Sequence, residues 1–168
     1  MTSTRPLYSM TLIVTTLAVL ASSGSSAQTP KEPAPPPSWR VECTTAEKAL
    51  DCRALQEIKR EDNHQLVGAV VVRVPTETKK PVMMIQLPLG ILVNMPVGIQ
   101  VEGNPPEKFA IQTCTQNGCF VGTTISDRLL GAMRAGKELQ VSFQATDKQN
   151  LTIAVPLSGF AVAYDKLK

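Results

Sequence analysis

Histidine is almost missing from this chain: His64 is the only one among 168 residues. A single imidazole leaves no His cluster to ligate a metal ion, and no Ser or Cys in a recognisable nucleophile motif accompanies it. The sequence also lacks a Gly-rich phosphate loop, Gly-x-Ser-x-Gly, His-Glu-x-x-His, a calcium loop and any internal repeat. No C-x-x-C spacing occurs, which removes the usual signature of thiol oxidoreductases and zinc ribbons. Carboxylate pairs such as Glu61-Asp62 sit in hydrophilic segments with nothing apolar to raise a pKa. No cofactor is therefore expected, and no catalytic or metal-binding residue stands out.

Long apolar runs are lacking too. Met10 to Ala21 is uncharged and largely apolar over 12 residues, short of the roughly 20 needed to span a bilayer. With Arg5 before it and Ser25-Ser26-Ala27 after it, the run reads as a signal peptide cleaved after Ala27. No Cys follows at the cleavage site to carry a lipid. Removing 27 of the 168 residues leaves 141, beginning at Gln28, and the loss of Arg5 lowers the formal net charge from +3 to +2. A charge that near neutrality does not recruit nucleic acid or an anionic membrane. Residues 28–38 are Pro-rich and read as an extended tether, and residues 39–168 as a single domain.

What is present is cysteine in an even number and the grammar of strands. Cys43, Cys52, Cys114 and Cys119 all fall in the exported part, where they read as two disulfides. Three pairings are open; the sequence-local one, 43 with 52 and 114 with 119, is favoured by its short loops. Residues 109–121 organise the rest: two strand-forming runs flank Thr115-Gln116-Asn117-Gly118, and Asn-Gly is a strong hairpin signal. Trp39 to Cys43 alternates as a strand, residues 46–50 resemble one helical turn, and residues 52–58 resume as a strand. Residues 57–64 form a charged turn. The β-branched run 65–74 predicts a strand buried on both faces, with a bulge or close approach at Gly68.

Residues 82–87 and 99–103 predict further strands. Between them lies an apolar stretch broken by Pro88, Gly90, Pro96 and Gly98, which reads as a rigid hydrophobic connection. Its Leu89, Ile91, Val93 and Met95 are the candidate binding loop. Met83 and Met84 are suited to core filling or to an adaptable patch. Residues 127–135 carry helical spacing between Ser126, an N-cap type, and Gly136, a C-cap type. Two strands around residues 147–150 and an amphipathic C-terminal helix bearing Phe160, Ala163 and Leu167 complete the chain. The expected fold is mainly β: an antiparallel β-sandwich or barrel of about seven to nine strands with one or two short helices.

Taken in order, Trp39-x-x-x-Cys43, Cys52, Pro88-Leu89-Gly90, Gly98-Ile99-Gln100-Val101-Glu102-Gly103, Phe109 with Cys114, Gly118-Cys119 and Gly159-Phe160-x-x-Ala163 form a distinctive series. The chain resembles the invasion-associated locus B family of exported proteins from alphaproteobacteria over essentially the whole domain. It departs at Met95-Pro96-Val97, where such proteins often run straight into a Gly-Val turn. The resemblance implies a periplasmic or envelope-associated protein, linked in some pathogens to host-cell entry. It brings no catalytic residues. The function that follows is non-enzymatic binding of a protein or surface component, without insertion into the membrane. The alternative is an envelope thiol-redox factor using Cys114 and Cys119.

Overall fold

The computed structural model describes residues 38–46, 49–60 and 62–168. The proposed signal peptide and all but the last residue of the tether lie outside them. Strands β1 (Arg40–Ala46), β2 (Ala49–Lys59), β3 (Leu66–Arg73), β4 (Val82–Leu87), β8 (Gly118–Thr124) and β7 (Thr113–Thr115) form, in that order, a six-stranded antiparallel sheet. A second antiparallel sheet has the order β10 (Asn150–Pro156), β9 (Glu138–Gln144), β5 (Val97–Val101), β6 (Glu107–Phe109). Helices α1 (Asp127–Ala135) and α2 (Phe160–Asp165) precede β9 and follow β10. The fold is an open, two-sheet β-sandwich.

Strict alternation builds the core. Val70, Val72, Met83, Ile85, Leu87 and Val121 point inward from the first sheet, and Val97, Ile99, Val101, Leu139, Val141 and Val155 from the second; all are fully buried. Removing such side chains from water is the main favourable term, at roughly 25 cal/mol per Å². Two sheets meeting this way leave gaps at their edges. One edge is closed by the chain itself, which passes from β6 in the second sheet to β7 in the first. The other is plugged by aromatic side chains: the Trp39 ring meets Phe160 edge-on at 4.9 Å between centroids, and Phe160 lies 5.9 Å from Tyr164. The Trp39 indole N–H donates to the Pro156 carbonyl at 2.8 Å, fastening the start of β1 to the end of β10.

Helix α1 forms as its caps dictate. Ser126 accepts a hydrogen bond from the Leu129 N–H, Asp127 occupies the first turn, and Gly136 donates to the Ala132 carbonyl at the far end. Leu129 and Met133 are the buried face.

Both disulfides sit on directly opposed residues. Cys43 faces Cys52 across β1 and β2 with Cα atoms 4.1 Å apart, and Cys114 faces Cys119 across β7 and β8 at 4.0 Å. Replacing Cys114 and Cys119 together by Ser is expected to lower stability by about 2 kcal/mol while leaving the sheets intact. Urea unfolding against the unmodified protein checks this; an unchanged midpoint would mean the bridge does not constrain the unfolded chain.

The structure departs from the sequence pattern at several points. The helical turn expected over residues 46–50 is overturned at its described positions: Ala46 ends β1 opposite Ala49, and Leu50 lies in β2 opposite Thr45, while residues 47 and 48 lie outside the described residues. The 114–119 hairpin is shorter than its sequence implies, with Gln116 and Asn117 alone between Thr115 and Gly118. Its apparent first arm is divided, Phe109 pairing with Val97 in the other sheet. Strand β3 is buried on one face more completely than on the other: Val70 and Val72 are fully enclosed, whereas Val71 is half-buried on the outside. The count reaches ten strands because β6 and β7, of three residues each, are too short to leave a pattern. A register shift opposite Gly68 does place the irregularity where that glycine predicts it.

Candidate functional site

The connection from β4 to β5, residues 88–96, is irregular but firmly tied. The Leu92 N–H donates to the Gln144 carbonyl at 2.8 Å, the Thr146 N–H to the Gly90 carbonyl at 2.9 Å, and Met95 to the Leu92 carbonyl at 3.2 Å. Gly90 takes the left-handed conformation (φ 83°) that lets the chain reverse, and Ile91 forms an isolated bridge with Ala145. Backbone tied at this many points is preorganised, so little ordering entropy remains to be lost on binding.

Side chains of this loop divide in two. Leu89 (57% exposed), Val93 (60%) and Met95 (41%) stand in solvent, whereas Ile91 is 7% exposed and belongs to the core. Ile91 must therefore be struck from the candidate binding residues: it bridges to Ala145 and is a member of the buried core cluster. Nothing in the residue type distinguishes it from Val93; only the bridge does.

The redox and acid–base candidates stand elsewhere. Cys114 is exposed and Cys119 buried, each closed in its disulfide, and none of the four cysteines is free. His64 lies in the exposed turn between β2 and β3, in a left-handed conformation (φ 55°), with its N–H bonded to the Arg60 carbonyl. Among the described residues no group of three or more His, Cys, Asp or Glu is placed to hold a metal ion, and no helix is long and apolar enough to cross a membrane.

A second surface was not apparent from the sequence. Across the outer face of the six-stranded sheet runs a cleft of about 610 Å³ with an apolar floor of Val71, Val82 and Met84. Arg53, Arg73 and Asp51 stand along one side, and Gln112 and Thr124 along the other. Register creates it: Arg53 opposes Arg73, Arg73 opposes Val82 and Val82 opposes Thr124, while Val71 opposes Met84 and Met84 opposes Gly122. The Gln112 amide donates to the Gly122 carbonyl at 2.9 Å, and a Cβ on residue 122 would meet its Oε1 at 2.7 Å, so glycine there lets Gln112 wall the cleft. The period-2 alternation of Val71 with Arg73 and of Val82 with Met84 was the available signal. It shows one face, but not which strands stand side by side.

Beyond the cleft, the β1–β2 edge carries a charge ladder. Arg40 bonds Glu57 at 3.0 Å and Glu42 at 3.0 Å, Arg53 bonds Glu42 at 2.8 Å, and Lys59 meets Glu57 at 3.1 Å. Hydrogen bonds from Arg40, then Lys59, hold the Glu57 carboxyl down to about 2, and Arg40 and Arg53 lower Glu42 likewise. The Arg40 guanidinium is raised by the same two carboxylates. Elsewhere the Glu102 carboxylate is lowered chiefly by the Lys137 backbone N–H, which it holds at the start of β9. These groups are solvent-facing and fix strand edges rather than forming a reactive pair.

An antiparallel two-sheet sandwich, stapled by two cross-strand disulfides and plugged at one edge by Trp39 and a C-terminal helix, is the class of protein these features define. The chain belongs to the invasion-associated locus B family: the model described as "Invasion associated locus B (IalB) protein" matches residues 39–168. It is similar to "Invasion protein B" of Bartonella bacilliformis, 27% identical over 133 residues that cover 77% of this chain and 70% of the relative. The crystal structure of invasion associated protein b from Bartonella henselae superimposes with a TM-score of 0.71 at 28% identity, covering 78% of this chain and 90% of that one.

Proposed function

We propose that this is an exported envelope protein that works by binding a protein or surface component through residues 88–96, with no catalytic site of its own. The observation that carries the reading is Leu89, Val93 and Met95 held in solvent on a loop whose backbone is tied to the β9–β10 hairpin. Exposed apolar groups on a preorganised loop gain contact area at small entropic cost, the pattern of a binding anchor. Export to the periplasm is supported by the cleavable-type N-terminus and by two closed disulfides, which persist in an oxidising compartment. The relatives named as invasion proteins support a contribution to host-cell entry.

A retention experiment tests the proposal. The protein isolated from cells should begin at Gln28 and, once immobilised, should retain a discrete component of envelope or host-surface extract that the Val93→Asp form does not retain. Equal retention by both forms, or an intact Met1, would overturn it. The redox alternative has the exposure of Cys114 in its favour. It would prevail if the protein exchanged disulfides with a reduced substrate protein at a catalytic rate that Cys114→Ser abolished in a folded domain.

A further inference from the structure

One arginine differs from the others in its surroundings. Arg40, Arg53, Arg60, Arg128 and Arg134 each pair with a carboxylate. Arg73, among the described residues, has no such partner, although it stands on the crowded outer face of a sheet. Its position is also electrostatically awkward, because it lies directly opposite Arg53 in the β2–β3 register. Like charges on opposed strand positions repel, and their Cβ atoms are only about 5 Å apart. Arg53 places its Nε and Nη2 on Glu42 at 3.1 and 2.8 Å, leaving Nη1 without an acceptor among the described residues. Arg53 and Arg73 thus border one side of the cleft from adjacent strands, with donors to spare.

Between the arginine side and the Gln112–Thr124 side the cleft is apolar. Val71, Val82 and Met84 form its floor, and Met84 is 46% exposed at the centre of its sheet. A volume of about 610 Å³ falls within the roughly 300–1,000 Å³ range of small-molecule sites. We propose that this cleft binds a single-chain aliphatic carboxylate. The headgroup lies in the fork of Arg73 with Arg53 Nη1, where two oxygens match the planar donors of a guanidinium. The alkyl chain lies along Val71, Val82 and Met84, covering surface that water now wets. A carboxylate there also removes the Arg53–Arg73 repulsion, so the charge pattern and the apolar floor call for the same ligand. Asp51 at the rim and Glu42 behind Arg53 oppose a densely anionic bilayer, which favours a monomeric ligand over a membrane surface.

This site lies away from residues 88–96, so the two readings fail separately. Dodecanoate, titrated below its micelle concentration into the protein as isolated from cells, should bind saturably with one site. With methyl-labelled methionine, the Met84 signal should shift and that of Met95 should stay. Arg73→Gln should weaken binding roughly tenfold or more, the value of a charge-assisted pair, with an unchanged unfolding midpoint. Acetate and dodecanol, each lacking half of the ligand, should bind at least as weakly as that variant binds dodecanoate. Val93→Asp should bind dodecanoate normally. Failure of dodecanoate to saturate, equal affinity in Arg73→Gln, or a shift at Met95 in place of Met84 would each overturn the proposal. So would sedimentation with phosphatidylglycerol vesicles in the absence of any dodecanoate binding, which would assign the face to a membrane.

Discussion

Phe160→Ala is expected to lower the unfolding free energy by about 3–5 kcal/mol, the cost of emptying a large aromatic site in a core. Phe160 is fully enclosed and touches both Trp39 and Tyr164. Its helix cannot compensate. Helix α2 has six residues, no side-chain cap, and an N-cap at Gly159 in the left-handed region (φ 84°); a helix that short has no stability in water apart from its packing. Losing the ring therefore loosens α2 together with the Trp39 indole, and with it the hydrogen bond to Pro156 that joins β1 to β10. Against a total of roughly 5–15 kcal/mol for a domain, this single change removes much of the margin. Trp39, the only tryptophan, reports on that corner, so urea unfolding followed by its fluorescence reads the effect directly. A midpoint close to that of the unmodified protein would show that α2 is an appendage rather than the closure of the sandwich.

Local signals made much of this architecture legible. Ser126 and Gly136 bracket α1 because cap chemistry is set by neighbouring residues alone, and the helix runs between them as its sequence requires. Strands β4, β9 and β10 follow from their strand-forming runs, β5 begins two residues before the expected 99–103 and ends at Val101, and Gly68 marks its own irregularity. What failed depends on partners distant in sequence. Ala46-Glu47-Lys48-Ala49-Leu50 has helix-forming composition, yet Ala46 pairs with Ala49 and Leu50 with Thr45 as strand positions. Phe109 and Thr113 look like one strand arm, but the first pairs with Val97 and the second with Phe120, in different sheets. The cleft of Arg53, Arg73 and Met84 is assembled from β2, β3 and β4 in register, and alternation within one strand never states its neighbour.

Ile91 and Val93 carry the same lesson into the candidate site, and substituting each by Asp should separate them cleanly. Both are β-branched and two positions apart in one apolar loop, yet Ile91 is 7% exposed and Val93 is 60%. Ile91→Asp places a carboxylate in the hydrophobic core, where no cation is buried among the described residues to pair it. An uncompensated buried charge costs about 3–5 kcal/mol, so this variant should be largely unfolded or scarcely accumulate. Val93→Asp leaves the charge in water and should change stability by less than about 0.5 kcal/mol. At a binding anchor the same substitution must desolvate its carboxylate on contact, at a cost of roughly 2 kcal/mol or more, about thirtyfold in affinity. Paired measurements of unfolding midpoint and retention of the bound component therefore give opposite patterns at the two positions. Equal destabilisation by both would make the whole loop part of the core. A stable Val93→Asp protein with unchanged binding would move the partner surface away from residues 88–96.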